Sequence, residues 1–347
     1  MTMQLQRHTL TPQMVRYDDF DDRAATRYLP YLMYFHRTDY ASDVVNTDRF
    51  GFRVTEAGGA RRCSPGGDIP DGPVRVFAGS STAFGIGASC DAATIPSRLW
   101  AKHAPSLPWL NFGGRSYNSA QELMLFMFYR HLLPEIDRVV LLSGFNTLAL
   151  SRLPEWQQGD SGAFFYCGEY YEQLDQLRAK NSKPKRGSGR RAERADDQPA
   201  RSEQVEHDPD KLIATAVGLT ERYLAGWRDL AAVTGARVTF VLQPLATWVR
   251  AEPATEERVL FTELDKLSRL GVFEELFGDI AGAEVGRRYA TALSAACDRT
   301  GVDFLDLNSL LAEATTSADW LYVDRAHLTD SGHDIVAGLL AEHLRLS

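Results

Sequence analysis

From residue 74 onward short β-rich runs alternate with helical stretches, and this alternation constrains the fold more than any other feature of the chain. Val74-Arg-Val-Phe-Ala78 is the first strand-like run and leads into Gly79-Ser80-Ser81. Residues 92–104 read as a helix and Trp109-Leu-Asn-Phe112 as a second strand. Ser119-Ala-Gln-Glu122 matches a capping box, opening a helix with Leu123, Phe126, Phe128 and Leu132. Arg138-Val-Val-Leu-Leu142, Arg237-Val-Thr-Phe-Val-Leu242 and Asp303-Phe-Leu-Asp-Leu307 complete five strands, with helices expected over residues 211–234, 283–299 and 330–345. Strands that alternate with helices pair in parallel through right-handed crossovers, so both sheet faces are covered. The expected class is α/β with a mostly parallel sheet. In such sheets functional groups collect at the carboxyl ends of the strands, where Ser81, Asn111 to Ser116 and Asn146 fall.

Three stretches break the alternation. Residues 1–70 hold an aromatic patch, Tyr28-Leu-Pro-Tyr-Leu-Met-Tyr-Phe-His36, followed by Asn46-Thr-Asp-Arg-Phe-Gly-Phe-Arg53. They read as an N-terminal extension packed on a main domain over residues 71–347. Residues 179–209 are polar and nearly devoid of large apolar side chains. Such a segment cannot bury enough surface to offset its ordering entropy, so a disordered insertion is expected. Residues 247–280, with Trp248, Phe261, Leu267, Leu270, Val272, Phe273 and Phe277, read either as a helical lid beside the site or as an ordinary packed helix pair.

Composition narrows the partners. At 347 residues and 44% hydrophobic, the chain can build a large core. A net charge of −8 provides no basic field to hold nucleic acid or an anionic membrane, so neither is expected as a partner. Cys63, Cys90, Cys167 and Cys297 show no metal-ligand spacing and read as scattered reduced thiols. Without an apolar leader or an 18-residue apolar run, the expectation is a cytoplasmic protein.

Four separated segments carry the chemistry: Gly79 to Gly85, Asn111 to Ser119, Ser143-Gly-Phe-Asn146 and Asp324-Arg-Ala-His327. A serine on a strand-to-helix turn is exposed at the sheet edge, and the Gly before it permits the tight turn. Gly79 to Gly85 is not a phosphate loop, because the required lysine is absent. Asp324 and His327 are three apart, a spacing at which the carboxylate takes the Nδ1 hydrogen and leaves Nε2 as a base. His333 is the rival histidine but has no acid three residues before it. Asn146 reads either as a helix cap or as a donor to an oxyanion.

This ordered set resembles the SGNH (GDSL-type) hydrolase family over roughly residues 72–347. The resemblance implies a flavodoxin-like three-layer α/β/α sandwich with a parallel five-stranded sheet. It implies Ser81 as the nucleophile, His327 and Asp324 as its catalytic partners, and an oxyanion hole from the N–H groups of Ser81 and Ser116 and the amide of Asn146. Ser80 replaces the Asp of G-D-S, and Thr147 the Asp that usually follows the block III Asn. Ser116 stands where the N-x-G-x-x-G pattern has its last glycine. Phe84, Gly114, Tyr117 and Trp248 are the candidate lining of a substrate pocket. The expected activity is a metal- and cofactor-free serine esterase acting on a small-molecule ester. Transfer of the acyl group to an alcohol or amine, and a degenerate binding domain, are the alternatives.

Overall fold

The structure, a computed structural model, describes residues 3–21, 27–59, 61–153, 157–165, 208–268 and 272–347. The five apolar runs form one parallel sheet: β1 (Val74–Gly79), β2 (Trp109–Gly113), β3 (Ile136–Ser143), β4 (Arg237–Leu242) and β5 (Asp303–Asp306). Their spatial order is 2-1-3-4-5, the flavodoxin-like winding. Every residue of β1 and β2 is buried, as expected for parallel strands covered on both faces. The register aligns Gly113 with Gly79, Gly79 with Leu142, and Leu242 with Asp306. The carboxyl ends therefore finish on one line, and the loops beyond them share one edge of the sheet.

Helices cover both faces. Ser119–Tyr129, Pro209–Thr234 and Ala283–Thr300 pack on one another in one layer, and Ile95–Arg98, Leu307–Ala314 and Asp330–His343 in the other. Trp109, Trp227, Tyr289 and Tyr322 are among the largest buried side chains of the core. The segment 92–104 is not one continuous helix. It is a 3-10 turn (Asp91–Ala93), a short helix (Ile95–Arg98) with Pro96 in its first turn, and a wide π turn (Leu99–His103). The helix after β2 is capped by Asn118, not Ser119: Asn118 accepts from Gln121 N at 3.0 Å, and Gln121 Oε1 accepts from Asn118 N at 3.2 Å. Ser119 N is already held by Thr147 Oγ1 at 3.3 Å. Phe128 is exposed, and Leu132 lies beyond that helix in a 3-10 turn. β5 ends at Asp306, whose carboxylate accepts from Asn308 N at 3.0 Å and starts a helix that the strand pattern concealed.

The N-terminal residues add two short helices (Met3–Leu10, Met14–Phe20) and two small hairpins (Arg27–Leu29 with Met33–Phe35; Thr55–Glu56 with Arg62–Cys63). Arg53, fully buried, joins them to the sheet domain. Its guanidinium pairs with Asp91 at 2.8 Å and donates to the carbonyls of Val44, Phe84 and Gly85. Among the described residues, the stretch around 247–280 forms three helices, Ala246–Val249, Thr255–Leu267 and Phe273–Ala281. Buried Glu257 accepts from Leu321 N (2.8 Å) and Tyr322 N (3.1 Å), so this segment holds the stretch just before Asp324. The expected disordered insertion, residues 179–209, lies outside the described residues except for its last two. Among the described residues, no helix is long and apolar enough to cross a membrane.

Candidate active site

Gly79 ends β1 at φ +142, with an added Cβ only 2.0 Å from Leu142 O. No side chain fits there, and the chain turns directly into the short helix Ser81–Phe84. Ser81 occupies the first helical position, where an N–H has no partner within the helix. Its neighbours Ser80 and Thr82 are fully buried, whereas Ser81 is half-buried. The turn thus turns one hydroxyl out and two in.

His327 reaches Ser81 from the other end of the chain. Its Nε2 lies 2.8 Å from Ser81 Oγ, and its Nδ1 lies 2.7 Å from Asp324 Oδ2. The other carboxylate oxygen, Asp324 Oδ1, accepts from Ala326 N and His327 N, both at 2.8 Å. Burial pushes the Asp324 carboxyl up, but the neighbouring His327 and these hydrogen bonds outweigh it, leaving the group below the usual carboxylate range. A carboxylate so held stays ionised and selects the tautomer with its proton on Nδ1. His333 lies elsewhere, fully buried, and burial pushes its pKa down to about 3.

The loop after β2 lies against the Ser81 turn. An added Cβ on Gly113 would meet Phe84 N at 2.2 Å, so only glycine allows this close approach. Asn111 lies within β2 rather than beyond it, and its amide donates to the carbonyls of Ala83 (3.3 Å) and Phe84 (3.2 Å). Tyr117 N donates to Gly114 O at 3.2 Å and closes a turn with Ser116 at φ 56. A left-handed residue at the third position is where type II turns take glycine. This is the physical content of the glycine pattern that Ser116 breaks. Asn146, 8% exposed, donates from Nδ2 to Tyr117 O at 2.9 Å. One amide hydrogen is thereby used, and the second is left for another acceptor.

Three of the four candidate pocket residues are buried packing side chains. Phe84 and Tyr117 are fully buried, and Trp248 is 6% exposed. Phe84 stacks on Phe20 at 5.6 Å, Tyr117 donates its hydroxyl to Tyr34 O, and Trp248 donates to Ile280 O at 3.0 Å. Large aromatic surface next to a sheet end is more stable packed than wet, and all three rings are packed in this way. Gly114 lies against the Tyr117 ring and donates to Gly79 O at 2.8 Å.

Two supporting residues carried no motif signal. His36 Nε2 accepts from Arg115 N at 3.2 Å, and its Nδ1 faces Gly51 O at 3.0 Å. Burial pushes its pKa down to about 3, so it holds the Ser116 loop as a neutral acceptor. Gln243, just past β4, touches both Ser80 and Thr82. Among the described residues no cluster of three or more His, Cys, Asp or Glu could hold a metal ion.

No family model matches this chain, and no curated protein does. Among solved structures it is similar to an alpha/beta hydrolase enzyme from the metagenome of Lake Arreo, Spain, at 14% identity and TM-score 0.43, covering 80% of this chain and 98% of that one. It is similar also to a carbohydrate acetylesterase from Sinorhizobium meliloti, at 12% identity and TM-score 0.42 over 79% and 99% of the two chains. An acetyl xylan esterase gives 13% and 0.39 over 78% and 99%.

Proposed function

We propose that this protein is a serine esterase of the SGNH type acting on a small-molecule carboxylic ester in the cytoplasm. The observation that carries the reading is the continuous hydrogen-bonded line Ser81 Oγ–His327 Nε2, His327 Nδ1–Asp324 Oδ2, at 2.8 and 2.7 Å. A nucleophile, a base and an orienting acid within direct hydrogen-bond reach are the parts that acyl transfer through serine requires. Ser81 Oγ attacks the ester carbonyl while His327 Nε2 takes its proton. Asp324 stabilises the imidazolium. The N–H groups of Ser81 and Ser116 and the second amide hydrogen of Asn146 receive the oxyanion. Collapse breaks the bond to the alcohol oxygen, which takes the proton from His327. Water then gives a proton to the same imidazole and attacks the acyl-enzyme; the bond to Ser81 Oγ breaks, Oγ takes the proton back from His327, and the acid is released.

One observation favours transfer to an alcohol or amine as the second reading. The helices Thr255–Leu267 and Phe273–Ala281 cover the His327 loop: Arg325 pairs with Asp265 and stacks on Phe261 (4.9 Å) and Phe273 (4.7 Å). A cover of this kind beside the nucleophile favours an acceptor other than water.

The test is covalent labelling. A fluorophosphonate should add its mass to Ser81, and Ser81→Ala should abolish both labelling and hydrolysis of a p-nitrophenyl ester. Full turnover by Ser81→Ala would refute the nucleophile. An unlabelled, inactive wild type would favour a binding domain. Release of ester or amide product when an acceptor alcohol or amine is added separates transfer from hydrolysis.

A further inference from the structure

We propose that Gln243 is the positioning residue that sets the Ser81–His327 distance, through a buried line of hydrogen bonds running under the nucleophile; this rests on the esterase reading above. Ser80 and Thr82 flank Ser81 and are fully buried; Gln243 is 1% exposed. Ser80 Oγ donates to Gln243 Oε1 at 2.8 Å. Gln243 Nε2 donates to Thr82 Oγ1 at 3.3 Å, and Thr82 Oγ1 donates to Ala326 O at 3.2 Å. Ala326 immediately precedes His327. One side chain therefore connects the turn that presents the nucleophile to the loop that presents its base.

The residue types fit this task. Each buried hydroxyl has one hydrogen to give, and leaving it unpaired is costly. Ser80 needs an acceptor. Thr82, which spends its hydrogen on Ala326 O, is free to accept one. A primary amide offers an acceptor and a donor on one rigid plane, and Gln243 presents the acceptor to residue 80 and the donor to residue 82. Its backbone is fixed as well: Gln243 N donates to Ser143 O at 2.9 Å and Gln243 O accepts from Asn308 Nδ2 at 3.2 Å. Asn308 Oδ1 in turn accepts from Leu245 N at 3.1 Å. The amide thus projects from a strand end held to β3 and to the helix after β5. Ser80 is neutral, which suits an amide partner. None of these groups titrates in the working range, so the line holds its shape across pH.

Gln243→Met keeps length and volume but removes both polar contacts. It should lower kcat and the rate of fluorophosphonate labelling of Ser81 by roughly ten- to a hundredfold, because sub-ångström misplacement of reacting groups has effects of that size. KM should stay within about twofold. Gln243→Glu supplies a second readout if the Met variant does not fold. A protonated Glu mimics the amide. An ionised one accepts from Thr82 and strips Ala326 O of its donor. The ratio of variant to wild-type kcat should therefore fall as pH rises, at unchanged circular dichroism. Thr82→Val breaks the same line from the other side and should lower kcat alike. Wild-type labelling at Ser81 is the control for the esterase reading. If wild type labels and these variants label and turn over within twofold of it at every pH, Gln243 has no positioning role although the esterase reading stands. If wild type does not label, that reading fails first.

Discussion

Replacing Ser116 by glycine separates what the proposed oxyanion loop needs from what its side chain adds. Ser116 sits at φ 56 in the turn closed by Tyr117 N and Gly114 O, and its side chain makes no hydrogen bond among the described residues. A left-handed conformation costs an L-residue about 1–2 kcal/mol. Glycine removes that strain, while its greater freedom in the unfolded chain returns about 0.5–1 kcal/mol. The net for Ser116→Gly is a stabilisation of about 0.5–1 kcal/mol, or roughly 1–4 °C in a thermal melt. The N–H of residue 116 keeps its direction, because Arg115 N remains held by His36 and Asn146 by Tyr117 O. Turnover of a small p-nitrophenyl ester should therefore stay within about twofold of wild type or rise. Asn146→Ala, measured beside it, should lose about a hundredfold in kcat, the usual size for one oxyanion donor. A tenfold or greater loss in Ser116→Gly at an unchanged or higher melting temperature would refute the reasoning. The hydroxyl would then take part in the reaction, and transfer would gain over hydrolysis.

Two further outcomes follow from buried ionisable groups away from Ser81 and His327. Glu122, buried with Ser143 Oγ at 2.7 Å as its hydrogen-bond donor, is pushed up to about 8 by burial. Between the ordinary carboxylate range and pH 8 the folded state keeps a proton that the unfolded chain has released, so stability falls as pH rises through that window. Glu122→Gln should remove the penalty, matching wild type near pH 4 and exceeding it at pH 8 by several kcal/mol at about 1.4 kcal/mol per pKa unit; parallel urea midpoints at both pH values would count against it. Arg53→Met strands Asp91 in the core and should cost about 3–5 kcal/mol in chemical denaturation, with part of the loss recovered in Arg53→Met/Asp91→Leu. A loss under 1 kcal/mol in the single variant would mean that water reaches Asp91.

The sheet was legible in the sequence because its signal is local. β-Branched runs such as Val139-Val140 and Val238-Thr239-Phe240-Val241 report burial on both faces without reference to any partner. The order of segments was equally plain, since the winding of a parallel sheet brings strand ends at Gly79, Ser143 and Leu242 to one edge. His327 at three residues from Asp324 is also a local fact, and the tautomer follows from it. What spacing cannot encode is depth. Phe84 and Tyr117 lie within site segments in sequence and Trp248 far from them, and only packing shows that all three are buried. Asn118, not Ser119, caps its helix, and Ser119 N is instead held by Thr147 of the helix after β3. The neutral state of His36 and the line from Ser80 through Gln243 to Ala326 rest on contacts between segments tens to hundreds of residues apart. Local pattern alone was enough to say which strands form and which residue types reach the working edge. The tertiary structure alone decided which of those side chains are held dry beneath Ser81 and which stand beside it, because burial and directional hydrogen bonds are properties of the assembled layers and of no single segment.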